Sequence, residues 1–147
     1  MAAAGALLVR PARAVADDRD PELLLELVAR EDAAALAYER AAPEPLAGIA
    51  AQEADHGKAL RSLLDAYGVL EAPPVKLDAP ARRLAEAPDD AALEAAIALE
   101  ASLVDAYSAA LPELVAEGTL QTAASILASH AQHHARLRSL AGLDPFG

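Results

Sequence analysis

Apolar residues recur at alternating spacings of three and four along four stretches of the chain, the pattern of helices with one buried face. Asp20 followed by Pro21 is typical of a helix start, because aspartate caps free N–H groups and proline fits the first turn. Pro43 ends this first helix, and Gly68 stands where glycine caps the end of the second. The predicted helices cover about residues 20–42, 44–67, 89–111 and 119–142.

The first and third connections between these helices are short, and the second is long. Residues 69–88 carry four prolines, which is typical of a long crossover, with one helical turn expected near residues 82–86. Such connectivity occurs in one class of four-helix bundles. Aromatic and β-branched residues are too scarce for a sheet. We therefore predict an all-α fold, an up-down four-helix bundle with a long crossover between the second and third helices.

Each predicted helix presents one stripe of mostly apolar residues to the centre of the bundle. The stripes of the first two helices are Leu24, Leu27, Val28, Glu31, Ala34, Ala35 and Tyr38, and Leu46, Ile49, Glu53, His56, Leu60, Leu63 and Tyr67. The stripes of the last two are Leu93, Ile97, Glu100, Val104, Tyr107 and Leu111, and Ala123, Ile126, His130, His133, Leu137 and Leu140. Every stripe is apolar except at its middle, where ionisable residues interrupt it.

These interruptions carry the candidate chemistry. The middle of the bundle would receive six ionisable side chains, Glu31, Glu53, His56, Glu100, His130 and His133. An unpaired carboxylate in an apolar core costs on the order of several kcal/mol, so protonation, cationic partners or metal ions must compensate. No Arg or Lys lies on the four stripes. We therefore predict bound metal ions, and carboxylate oxygen with imidazole nitrogen suits Fe, Mn or Zn.

The spacing of the candidate ligands agrees with a metal site. Glu53 and His56 are three residues apart and therefore point to one side of their helix. One Glu from each of two helices, with a Glu-x-x-His pair from each of the other two, forms a di-iron or di-manganese carboxylate site. In such a site Glu31 and Glu100 would be terminal or bridging carboxylates. Glu53 would bridge, and His56 and His133 would supply nitrogen.

The two halves of the chain also resemble each other. Tyr38 follows Glu31 by seven residues, and Tyr107 follows Glu100 by the same spacing. The second and fourth helices share aligned histidines and a Leu-Arg-Ser-Leu stretch. A duplicated helical hairpin explains this similarity, with chance in an alanine-rich chain as the alternative. Each tyrosine is either a large core side chain with a satisfied hydroxyl or a phenol serving a redox metal.

The residues that carry a family resemblance are Glu31 with the following Ala-Tyr-Glu-Arg, Glu53-x-x-His56, Glu100 with Tyr107, and the Ala-Ser-Ile-Leu-Ala stretch before His133. Through them, residues 20–145 resemble the ferritin-like superfamily, above all the small, often exported bacterial ferritin-like domain proteins related to rubrerythrin. The resemblance implies two bound metal ions, Fe or Mn, that react with oxygen or peroxide. It also implies a role in iron handling or oxidative stress.

His130 departs from the family pattern, which has glutamate at this position. Two divalent ions with three carboxylates leave the site near +1, which disfavours a ferric pair and favours Zn, Mn(II) or a single ion. His130 as a metal ligand and His130 as a hydrogen-bonded bystander stay open alternatives. A vacant, degenerate site would leave a structural or binding module. Whether the chain is an enzyme also stays open, since no catalytic acid or base is evident outside the ligand set.

The composition of the chain limits the classes of partner and of chemistry that the protein can have. The chain has 147 residues, a formal net charge of −11, 3% aromatic residues and no cysteine. The negative charge argues against nucleic acid and anionic membrane surfaces as partners. The missing cysteines exclude thiol catalysis, disulfides and Fe–S clusters, and no apolar run reaches the roughly 18 residues that span a bilayer. A helical partner domain that forms homo-oligomers through its alanine-rich faces is a further alternative.

Residues 1–18 are expected to lie outside the bundle, which we place at residues 19–147. Ala14-Val15-Ala16 is typical of the end of a secretory signal, although the basic start of such a signal is missing. With a signal upstream the protein would be exported to the periplasm or beyond. Otherwise the segment is a disordered arm and the protein cytoplasmic. The other polar residues near the stripes are expected on solvated faces or beside the ligands: Asp32, Asp55, Asp105 and His134.

Overall fold

Five α-helices and a short 3-10 helix build the part of the chain that a computed structural model describes, residues 19–41 and 46–146. The elements are α1 (Arg19–Ala41), α2 (Ile49–Tyr67), α3 (Ala79–Ala85), α4 (Asp89–Ala110), the 3-10 helix Leu111–Glu113 and α5 (Glu117–Leu140). These residues contain no strand, which confirms the predicted all-α fold, and no helix among them has the length and hydropathy to cross a membrane. The predicted signal or arm, residues 1–18, lies outside the described residues.

The four long helices form a bundle in which α1 packs on α2 and α4, and α5 packs on α4 and α2. Hydrogen bonds join Tyr38 of α1 to Glu100 of α4, and Tyr107 of α4 to Glu31 of α1, so these two helices run in opposite directions. The end of α1 packs with the start of α2, and the end of α4 packs with the start of α5, so each of these pairs is antiparallel. The long segment between α2 and α4 therefore returns along the bundle, as predicted for the crossover.

The crossover contains α3, which packs against α1 and α4. Asp78 precedes this helix, and its carboxylate accepts a 3.0 Å hydrogen bond from the N–H of Ala81. Pro80 lies in the first turn, where its missing N–H leaves no hydrogen bond unmade. The single turn predicted at residues 82–86 is thus a helix of 7 residues that starts earlier, because Asp78 and Pro80 initiate it.

Glycine ends α2 as predicted. Gly68 has a φ of 81°, and its N–H and that of Val69 donate to the carbonyls of Asp65 and Leu64 at 3.0 Å. Gly142, with a φ of 72°, follows the end of α5 in the same way. The left-handed conformation at both positions suits glycine because it has no Cβ.

The start of α2 differs from the prediction. The helix begins at Ile49 rather than near Glu44, and Leu46–Gly48 form a turn before it. Pro45 disfavours a helical conformation at the residue before it, and Gly48 weakens any helix that would include it. Residues 42–45 of this connection lie outside the described part of the chain.

Apolar residues fill the bundle on both sides of its middle. One cluster joins the end of α1 to the start of α4 and to α3, and contains Tyr38 and Leu99. The other joins the start of α1 to the end of α2 and contains Leu24, Leu60 and Tyr107. Along each long helix the ionisable stripe residues lie between these clusters. The fold therefore places a polar layer inside an apolar core.

The buried stripes follow the prediction closely in α1 and least well in α4. The buried residues of α4 include Ala92, Ala96, Leu99, Leu103 and Ala110, whereas the predicted Leu93, Ile97, Val104 and Leu111 are only partly buried. In α2 Leu64 is buried rather than Leu63, and in α5 Leu140 is 51% exposed. Helix α4 has apolar residues on most sides, so periodicity alone could not select its buried face. Packing of its alanines against α1 and α3 selects it.

Asp20 closes the end of the bundle where α1 begins. It lies in the first turn of a helix that starts at Arg19, and it is 1% exposed. Its oxygens accept hydrogen bonds from the N–H groups of Val115 and Ala116 at 2.8 Å and from the hydroxyl of Tyr67 at 3.0 Å. The prediction that Asp20 caps its own helix is therefore wrong, because its carboxylate holds the segment before α5.

Candidate metal centre

The six predicted ligands meet at the middle of the bundle. They are Glu31 of α1, Glu53 and His56 of α2, Glu100 of α4, and His130 and His133 of α5. The side chains of the three glutamates and of His130 are 0% exposed, and those of His56 and His133 are 14% and 7% exposed. The spacing of three on α2 and on α5 puts each pair on one helix face.

Two sets of three donor atoms lie at separations that suit a metal. In the first, the Glu31 triad, His56 Nδ1 lies 3.5 Å from Glu31 Oε2 and 3.4 Å from Glu53 Oε2. In the second, the Glu100 triad, His133 Nδ1 lies 3.1 Å from Glu53 Oε1 and 3.6 Å from Glu100 Oε1. Ligands about 2.1 Å from one ion are about 3.0–3.4 Å apart, so both triads are close to that geometry. Glu53 contributes one oxygen to each triad.

Five atoms of these triads have no hydrogen-bond partner among the described residues. They are Glu31 Oε2, Glu53 Oε1, Glu53 Oε2, His56 Nδ1 and His133 Nδ1. The short contacts within the triads lack the alignment of hydrogen bonds. A buried polar atom without a partner costs about 1–3 kcal/mol, and more when it is charged. A cation bound at a triad would satisfy the donor atoms of that triad, so this donor set fits a metal.

His130 lies between the two triads and bonds to both. Its Nε2 is 3.0 Å from Glu31 Oε1, and its Nδ1 is 3.0 Å from Glu100 Oε2. With the residues of either triad it forms a group of four donor atoms within 4.8 Å of one another. Burial lowers the pKa of His130, but hydrogen bonds to Glu100 and Glu31 outweigh burial and raise the pKa to about 10. In the metal-free protein the ring therefore donates from both nitrogens.

The three glutamates are not equivalent. Burial raises the pKa of Glu31, yet hydrogen bonding, first of all with His130, lowers the pKa to about 2. Burial and His130 act on Glu100 in the same way, so its pKa is also lowered. At Glu53 burial outweighs the histidines and raises the pKa. Glu53 is therefore the carboxylate whose charge the metal-free protein stabilises least.

His56 and His133 complete the charge balance. Burial lowers the pKa of each ring, but the neighbouring glutamates outweigh burial and raise both pKa values to about 9. Without a metal, cationic imidazoles thus supply the positive charge that no Arg or Lys on the stripes supplies.

Two tyrosines donate to the terminal glutamates across the bundle. Tyr38 of α1 donates to Glu100 Oε1 at 2.5 Å, and Tyr107 of α4 donates to Glu31 Oε1. Burial and the adjacent carboxylate raise the pKa of both phenols, so each hydroxyl stays a donor. The tyrosines fill the core and also bond to two candidate ligands. Their reciprocal bonds have the symmetry expected of a duplicated hairpin.

Gln52 is a residue of the site that sequence reasoning missed. Its Nε2 donates to the carbonyl of Gly48 at 3.4 Å, which turns its Oε1 toward His133 Nε2 at 2.9 Å. His133 Nε2 must then carry the hydrogen, and the lone pair of the neutral ring lies at Nδ1, facing Glu53. An exposed glutamine next to Glu53 gives no sequence signal for this role. The packing of α2 on α5 reveals it.

A charged pair lies beside Glu31. Asp32, whose side chain is 13% exposed, forms an ion pair with Arg61 of α2, whereas Asp55 is exposed. A Cβ on Gly57 would lie 3.2 Å from Asp32 Oδ1 and 3.6 Å from Glu31 Cβ. The glycine therefore lets α2 approach α1 at the level of the site. Asp32 is held by Arg61 rather than fully solvated.

A four-helix bundle with a long crossover is the architecture of ferritin-like folds, and the central cluster of glutamates and histidines is compatible with a metal site. The sequence model of the ferritin-like domain family matches residues 24–143. The chain belongs to the ferritin-like domain family, which confirms the resemblance seen in the sequence. No curated protein and no solved structure matches the chain. The relation to rubrerythrin stays a prediction.

Proposed function

We propose that this ferritin-like protein binds Fe or Mn at the six-residue cluster and takes part in iron handling or in redox chemistry with oxygen or peroxide. The observation that carries the proposal is the set of five buried donor atoms in the two triads that lack a hydrogen-bond partner among the described residues. Their cost is large for a domain that is stable by only about 5–15 kcal/mol. Satisfying them with a cation therefore favours both binding and the folded state.

The donor chemistry favours a first-row transition ion. Carboxylate oxygens and imidazole nitrogens without thiolates suit Fe and Mn, with Zn as a further candidate. Bound Fe or Mn would supply one-electron chemistry toward oxygen or peroxide. The protein's own part is to hold the donors: Tyr38 and Tyr107 fix the terminal glutamates, and Gln52 fixes His133.

Metal analysis tests the binding step. After anaerobic loading with Fe(II) or Mn(II) and desalting, the protein is expected to retain about one ion per chain or more, and less than about 0.2 equivalents contradicts the proposal. Glu53→Gln should lose the metal because it removes the carboxylate shared by both triads. Glu39→Gln, at an exposed position of α1, is the matched control.

Exposure of the Fe(II)-loaded protein to air tests the redox step. Iron is expected to oxidise faster with the wild type than with Glu53→Gln at the same total iron concentration. Equal rates would contradict the redox role and leave metal binding intact.

A second candidate function is a structural or binding module with a metal-free centre. His130 favours it, because its two 3.0 Å bonds compensate Glu31 and Glu100 without an ion. The melting temperature would then be insensitive to Fe, Mn, Zn and chelators. An ion that binds only the folded state must raise the melting temperature, so a rise on adding metal excludes this candidate.

We also propose export, based on the Ala14-Val15-Ala16 pattern. N-terminal sequencing of the protein from its native cells tests it. A mature chain that begins at Asp17 supports export, and a chain that retains residues 1–16 contradicts it.

A further inference from the structure

We infer that the centre holds one divalent ion per chain, on the Glu31 triad, and that His130 stays hydrogen-bonded and is not a ligand. The inference rests on the proposed metal binding and goes beyond it, because it assigns the number and the position of the ions. The family resemblance implies two ions instead. The bonds of His130, the charge of the cluster and the unequal state of the two triads carry the difference.

Both nitrogens of His130 are already engaged. Each lies 3.0 Å from a carboxylate oxygen, one of Glu31 and one of Glu100. A ring nitrogen that is engaged with a carboxylate oxygen is not available to a metal, so coordination by His130 would break at least one of these two bonds. The ring acts as a cross-link between the two terminal glutamates.

The charge of the buried cluster favours one ion. The cluster has three glutamates, and two divalent ions bring four positive charges. A second ion would therefore leave positive charge in a region where burial makes unbalanced charge costly. A glutamate at position 130 would remove this excess of positive charge, because four carboxylates balance two divalent ions.

The donor atoms of the Glu31 triad are more available to a metal ion than those of the Glu100 triad. All three of its donor atoms lack a hydrogen-bond partner among the described residues. In the Glu100 triad, by contrast, Glu100 Oε1 already accepts the hydroxyl of Tyr38 at 2.5 Å. The side chain of His56 is also 14% exposed, against 7% for His133. An ion from solvent therefore reaches the Glu31 triad more directly.

Equilibrium titration with Mn(II) tests the number of ions. The wild type is expected to bind one Mn(II) per chain and to give the electron paramagnetic resonance signal of an isolated ion. His130→Glu is expected to bind two and to give a spin-coupled signal. Two ions in the wild type overturn this inference and leave the proposed metal binding intact. No bound ion overturns both.

Two matched variants test the position of the ion and do not depend on His130→Glu being folded. His56→Gln is expected to weaken Mn(II) binding at least about 10-fold, and His133→Gln to weaken it less than about threefold. Equal losses, or the reverse order, would overturn the assignment to the Glu31 triad. Circular dichroism before each titration establishes that the variants keep the helical content of the wild type.

Discussion

Asp20 and Glu53 are both buried carboxylates, yet they differ in their hydrogen bonds. Asp20, at one end of the bundle, accepts three hydrogen bonds, from the N–H groups of Val115 and Ala116 and from Tyr67. Glu53, at the middle, has neither oxygen bonded among the described residues. The two residues are 1% and 0% exposed. Burial alone therefore does not distinguish the two carboxylates, whereas the lack of a hydrogen-bond partner does.

The physical reason lies in the donors that each position can reach. The first N–H groups of a helix have no partner within that helix, and the segment leading into α5 offers two N–H groups to Asp20. In the middle of a helix every N–H is already bonded, so Glu53 can be satisfied only by side chains or ions. A carboxylate at this level depends on histidines or on a metal.

Asp20→Ala should have the largest effect and would isolate the structural carboxylate. Two N–H groups and the Tyr67 hydroxyl lose a charged acceptor, and hydrogen bonds to charged groups contribute about 1.5–3 kcal/mol each before water replaces part of them. We expect urea denaturation to show a loss of about 3 kcal/mol in the free energy of unfolding, the same with and without metal. Asp90→Ala, at the exposed start of α4, is the control. A loss below about 1 kcal/mol would contradict this role.

Glu53→Gln should show the opposite signature. The stability of the metal-free protein is expected to change little or to rise, because Glu53 is the carboxylate whose charge the metal-free protein stabilises least. The stabilisation by metal should disappear, about 2.7 kcal/mol at a metal concentration about 100 times the wild-type Kd. Urea denaturation with and without Mn(II) measures both quantities, and Asp55→Asn, at an exposed position, is the control. Persistent stabilisation of Glu53→Gln by metal would show that Glu53 is not a ligand.

Rising pH should destabilise the metal-free centre. The pKa of His130 is about 10 in the folded protein against its ordinary 6.5, so its contribution is complete below pH 6.5 and is lost as the pH approaches 10. His56 and His133, with pKa values of about 9, act in the same direction. Urea denaturation in chelator between pH 6.5 and 9 should therefore show falling stability, with a shallower slope for His130→Gln. Stability that rises over this interval would refute the assigned bonds.

The tyrosines should give the smallest effects and distinguish the two triads. Tyr107→Phe and Tyr38→Phe each remove one hydrogen bond to a buried glutamate without opening a cavity, so we expect about 1–2 kcal/mol lower stability. Tyr107→Phe should also weaken Mn(II) binding more than Tyr38→Phe, because Tyr107 bonds to Glu31. Melting curves at several Mn(II) concentrations measure both effects. Unchanged stability in both variants would mean that the hydroxyls do not hold the glutamates.

The sequence by itself was enough to predict the helices, the crossover and the level at which the six ionisable residues meet. Helical periodicity assigns residues to a face, and Gly68 and the prolines mark where helices end. Because Glu31, Glu53 and Glu100 interrupt three stripes at their middle, their meeting follows from the bundle. The family match agrees with this fold. Their role as metal ligands stays a prediction.

Which groups face each other depends on how the helices pack. Periodicity does not say which atoms lie opposite a residue, so the partners of Asp20 and the bond from Gln52 to His133 could not be predicted. The buried face of α4 was also missed, since its apolar residues lie on most sides. The sequence also gives no sign that the two nitrogens of His130 lie between the carboxylates of Glu31 and Glu100. Hydrogen bonds depend on distances of tenths of an ångström, and those distances are set by the packing of four helices together.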